Sequence, residues 1–89
     1  MSEIDVILIE LQRLLTELKS SRGSEELKGQ IRRLFTRANL LIEQIDNVEE
    51  MERVFKDAAR VAGMASYLMD KESEVREFLE LLGIPVEID

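Results

Sequence analysis

Residues 54–83 read VFKDAARVAGMASYLMDKESEVREFLELLG, and whether they form one helix or two decides the fold. Up to Met69 the apolar residues keep one helical phase. Val54, Phe55, Ala58, Ala59, Val61, Ala62, Ala65 and Met69 share an arc that Met51 extends backwards. Past Met69 the phase fails. On one straight rod, Val75, Phe78, Leu79 and Leu82 would point nearly opposite to that arc. Such a shift needs a bend, a break or a second partner surface. The segment MDKES at 69–73 offers Asp70 and Ser73 as caps. The reading is a third helix from about 48 to 70, a break, and a short fourth helix to Leu82. The alternative is one continuous helix serving two surfaces. Gly83 suits the residue just past a helix, and Pro85 prevents resumption. Ile84 can fold back on the last turn. Val86 and Ile88 then alternate with Glu87 and Asp89, a pattern for a frayed tail or one laid along a partner; frayed is the expectation.

The same periodicity runs upstream. Ile4, Ile7, Leu8, Leu11, Leu14, Leu15 and Leu18 fill one arc, and SSRGS at 20–24 ends the first helix with Gly23 as a left-handed cap. Ser24 opens the second, whose arc holds Leu27, Ile31, Leu34, Phe35, Ala38, Leu41, Ile42 and Ile45. After the break at 45–47, Asp46 or Asn47 caps the third. The fold expected is all-α: a small antiparallel helical bundle of three main helices plus a short C-terminal fourth. Residues 1–83 make one domain, and 84–89 a short C-terminal tail.

Composition narrows the classes of function. The chain has 89 residues, no cysteine and no histidine. Serine–histidine and cysteine–histidine nucleophiles, zinc sites of ordinary ligand type and the Glu-x-x-His pairs of di-iron bundles therefore have no residues to build them. Gly23, Gly29, Gly63 and Gly83 are isolated, so there is no glycine-rich phosphate loop. The longest apolar run, VILI at 6–9, falls far short of a membrane span, and MSEID lacks the basic start of a signal peptide. A cytoplasmic protein without membrane or cofactor is the expectation. Eight arginines, two asparagines and no tryptophan or cysteine would suit a thermophile, though a chain this short reaches such counts by chance.

Net charge is −7, unevenly spread: −3 over residues 1–10, +4 over 11–42 (seven bases, three acids) and −8 over 43–89 (five bases, thirteen acids). Lys28, Arg32, Arg33 and Arg37 form a basic face on the second helix. It is read first as a solvated face, or one matched to acids of the 43–89 half or of a partner. A smaller weight goes to a nucleic-acid-associated regulator docking this face. Among the acids, Glu43 with Asp46 makes E-x-x-D, and Glu49 with Glu52 makes E-x-x-E, as does Glu77 with Glu80. This resembles the all-α nucleotide pyrophosphohydrolases, whose paired helix carboxylates hold magnesium. The order here departs from theirs, E-x-x-D preceding E-x-x-E, and Glu49 and Glu52 fall on the polar face of the third helix. A carboxylate–magnesium hydrolase is the third reading, and no enzyme is expected.

Packing carries the leading expectation. Ala58, Ala62 and Ala65 share a face, with Ala59, Gly63 and Ser66 in the adjacent row. Small residues at i and i+4 let a second helix come close. That helix is expected first within the chain; a seam with a partner is the alternative. Val6, Ile9, Leu40, Met64, Tyr67 and Leu68 fall outside their helices' main arcs. Helices apolar over so much of their circumference are usually covered on two sides. The expected interface is Val6, Ile9, Leu40, Ala62, Gly63, Met64, Ser66, Tyr67 and Leu68, and the expected partner is a protein: the chain's own copy or a larger subunit.

Overall fold

The computed structural model describes residues 1–86, which form an all-α bundle of four helices: α1 (Glu3–Ser21), α2 (Glu25–Glu43), α3 (Val48–Leu68) and α4 (Ser73–Leu81). The change of phase near Met69 is thus resolved by a break and a second helix. None of the four helices is long and apolar enough to cross a membrane.

Each helix end has a local cause. At the start of α1 the Asp5 carboxylate accepts from the Ser2 backbone N–H (3.1 Å) and the Ser2 hydroxyl (2.8 Å), placing a negative charge in the first turn where the dipole favours it. The left-handed turn after α1 begins one residue earlier than expected. Arg22 itself adopts φ 59°, and Gly23 follows at φ 86°. Asn47 caps α3 by accepting from the Glu50 N–H at 3.2 Å. For α4 the expected caps, Asp70 and Ser73, are corrected. Glu72 stands at the N-cap without a side-chain cap bond, and its carbonyl accepts from the Val75 and Arg76 N–H groups. The end of α4 is a Schellman turn: the Ile84 N–H bonds the Leu79 carbonyl (2.9 Å), the Gly83 N–H bonds that of Glu80 (3.0 Å), and Gly83 has φ 74°. Ile84 and Val86 pack half-buried on the core, so residues 84–86 are not a frayed tail. Ile88 lies outside the described residues.

Helix α1 is the hub. It packs on α2, to which it is joined by the short turn, and equally on α3. Helices α2 and α3 follow one another in sequence, yet α3 lies chiefly against α1, and α4 closes the arrangement mainly against α2. The molecule measures 38 × 33 × 18 Å, two helices deep along its short axis. The core is aliphatic, with Leu8, Leu11, Leu15, Ile31, Val54, Val61 and Val75 fully buried. Its aromatic centre is an edge-on pair, Phe35 of α2 against Phe78 of α4, with ring centroids 5.0 Å apart.

Candidate interaction surface

The small-residue stripe divides. Ala58, Ala62 and Ala65 are the buried alanines of α3, whose main neighbour is α1. Their lack of bulk therefore serves a crossing within the chain. Ala62, expected at an external interface, is 1 % exposed, and that expectation is corrected. The adjacent row faces outward: Gly63 and Ser66 are exposed, and a Cβ built on Gly63 would meet nothing within 4 Å. Nothing within the chain requires glycine at this position.

The apolar residues outside the arcs also divide. Met64 and Leu68 lie half-buried against the core, which corrects their expected place on an outer surface. Val6 (53 %), Ile9 (53 %), Leu40 (47 %) and Tyr67 (80 %) are exposed. Val6 and Ile9, three residues apart, form one ridge on the outer side of α1. Ion pairs border it on both flanks. Toward α2, Arg37 reaches Glu3 through two bonds of 2.8 and 3.0 Å. Toward α3, Arg53 Nη1 lies 2.8 and 2.9 Å from the two oxygens of Asp5. Leu40 is on the outer side of α2, and Tyr67 on the outer side of α3. The six expected apolar residues therefore form no single patch.

Two exposed residues were not expected. Phe55, placed in the buried arc of α3, is 42 % exposed, and Val48, in the first turn of that helix, is 71 % exposed. The opposite surprise is Asn39, a polar residue 1 % exposed in the middle of α2. Its Nδ2 donates to the Glu74 carbonyl of α4 at 3.1 Å, and its buried Oδ1 has no partner among the described residues. Asn39 lies four residues after Phe35 but beyond the edge of the arc, in phase with Lys28 and Arg32, so the sequence carried no signal of its burial.

The basic face of α2 is not one face. Lys28 and Arg32 turn toward α4 and the α3–α4 break, while Arg33 and Arg37 turn outward and toward α1. Three of the four are engaged: Lys28 with Glu25 (3.7 Å), Arg32 with Glu72, and Arg37 with Glu3. Arg33 alone of the four has no ion-pair partner among the described residues. Each engaged guanidinium lowers the local positive potential that a phosphate backbone would need.

The strongest electrostatic perturbation sits at Asp5. The Arg53 guanidinium, helped by the Ser2 hydroxyl and N–H, holds its carboxyl at a pKa of about 2. Hydrogen bonds from Arg37 and from Arg13 lower Glu3 and Glu10 in the same sense. These are pairs of the ordinary stabilising kind. Among the described residues no three acidic side chains converge in a way that could hold a metal ion. The clefts are shallow and polar-walled: one of about 340 Å³ beside the α3–α4 break is lined by Glu25, Lys28, Leu68, Met69, Asp70, Lys71 and Glu72. The chain matches no family model, no curated protein and no solved structure.

Proposed function

We propose that this chain is a non-catalytic helical interaction module of the cytoplasm, acting as a homo-oligomer or as a small accessory subunit, and that it works by burying exposed apolar side chains against another protein surface. The observation that carries this reading is the Val6–Ile9 ridge. The core is filled without it, yet two β-branched residues stand half-exposed on adjacent turns of the hub helix, between two ion pairs that fix the ridge's borders. Single exposed apolar residues are ordinary; a framed pair on the most constrained helix is a better anchor. Leu40 and Tyr67 are exposed as well, on the outer sides of α2 and α3, apart from this ridge.

Light scattering at tens of micromolar tests the reading. The wild-type chain is expected above monomer mass, and Val6→Glu with Ile9→Glu as a folded monomer. A monomeric wild type transfers the reading to the accessory subunit. In that case a stoichiometric partner copurified from the native source must be released by the same double variant. A partner retained equally by both forms removes this ridge from the interface.

A further inference from the structure

The apolar stripe of α3 is longer than the chain's own cover for it. Val48, Met51, Phe55, Ala58, Ala62, Ala65 and Met69 follow the alternating three- and four-residue steps of a helix-packing seam. From Ala58 onward every one of these is buried, but Met51 is only half-buried, and Phe55 and Val48 emerge into solvent. Helix α3 packs chiefly on α1 and only lightly on α4, and at its first two turns that packing leaves Val48 and Phe55 uncovered.

The charge around the open end is one-sided. Glu43 and Asp46 precede it, and Glu49 and Glu52 lie beside and within the Val48–Phe55 turns. All four are exposed, and none has an ion-pair partner among the described residues. Arg53, the nearest base, is turned away to Asp5. Lys56 and Arg60, exposed on the outer face farther along α3, leave these four acids in excess.

We propose that the Val48–Met51–Phe55 ridge seats a basic amphipathic helix from a different protein, its apolar residues continuing the seam that the chain itself leaves uncovered and its lysines or arginines meeting Glu43, Asp46, Glu49 and Glu52. This rests on the reading of the chain as an interaction module and names both a face and the chemistry of a partner. A second copy is the wrong occupant. A two-fold contact through this ridge would set its acids against their own copies, and the bases of α2 that might answer them are mostly engaged at home.

The test uses a fluorescein-labelled peptide of leucine and lysine alone, with leucines at i, i+3, i+4 and i+7, titrated with the full chain at physiological salt and followed by anisotropy. Two controls accompany it: the same pattern with glutamate for lysine, and the leucine–lysine composition in scrambled order. The patterned basic peptide is expected to bind about tenfold or more tightly than either control. Val48→Glu, at a site too exposed to threaten the fold, should weaken it about tenfold, as should Glu49→Lys with Glu52→Lys. Thr16→Glu, at an exposed position of α1, should leave it unchanged. Equal binding of the scrambled peptide, absence of binding, or dissociation of a wild-type dimer by Val48→Glu each overturns the proposal. If the peptide fails while Val6→Glu with Ile9→Glu still disperses an oligomer, the seat on α3 is wrong and the interaction reading stands; if both fail, both fall.

Discussion

At Asn39 a single side chain fixes where α4 lies. Its amide donates to the Glu74 carbonyl, while the buried Oδ1 has no partner among the described residues. A buried acceptor left unmet costs on the order of 1–3 kcal/mol. Asn39→Leu removes the orphan oxygen at nearly constant volume, and chemical denaturation should find the variant within about 1 kcal/mol of wild type or above it. Asn39→Asp should behave oppositely. A carboxylate there is desolvated and faces a carbonyl oxygen, so its pKa in the folded state is raised. At neutral pH the variant should lose about 3 kcal/mol or more. That loss should shrink as pH falls through the raised value, where the protonated acid can donate to Glu74. A denaturation midpoint that does not recover on acidification contradicts this account. The helical period places Asn39 beyond the apolar arc, in phase with Lys28 and Arg32, and only the approach of α4 accounts for its burial.

Among the elements, glycines separate local requirement from open space. Gly63 lies in the exposed interior of α3 with no atom near a built Cβ. Gly63→Ala is therefore expected to stabilise the chain by about 0.5–1 kcal/mol, read as a higher thermal midpoint. Gly83 closes α4 at φ 74°, in the region that side chains avoid. Gly83→Ala should cost about 1 kcal/mol despite equally empty surroundings. A midpoint lowered by Gly63→Ala would mean that a neighbour occupies that space in solution. The boundaries of the elements were legible because they are local events: the phase break after Met69, the Asn47 cap and the Gly83 turn are written in adjacent residues. The partner of each element was not. An apolar arc states that a helix is covered on one side, without stating by what, so nothing in α3 announced that it lies on α1. Phe55 was misplaced for the same reason. It shares a phase with buried residues, and only the packing of the assembled bundle decides that this end of the stripe stays open.

For the whole molecule, the ion pairs that matter are those joining elements distant in sequence. Arg53–Asp5 ties α3 to α1, and Arg37–Glu3 ties α2 to α1. Asp5, held near pKa 2 by Arg53 and Ser2, titrates below its unfolded value of about 3.9. Its stabilisation is complete above the unfolded pKa and is lost as pH falls toward 2. Asp5→Asn should therefore lower the thermal midpoint at neutral pH, by the equivalent of on the order of 1 kcal/mol given the partly solvated guanidinium. The gap should narrow below about pH 4 and close as pH falls through about 2. A gap independent of pH would show that the ionised carboxylate is not what stabilises the native state here. The general plan was visible in the sequence, and so was the exposure of Val6, Ile9 and Leu40, because exposure on a helix follows from phase. The division of the basic face was not, since the acids that engage it come from elements whose placement only the assembled bundle defines. That placement also sets a timetable for synthesis. Of the four helices, α1 leaves the ribosome ahead of α2, which follows at once, while its other neighbour α3 is finished only at Leu68. Until then one greasy flank of α1 has nothing to lean on. A nascent chain that stalls before α3 is complete would show that flank to chaperones or to other stalled copies, and α2 waits longer still, until α4 is finished at Leu81.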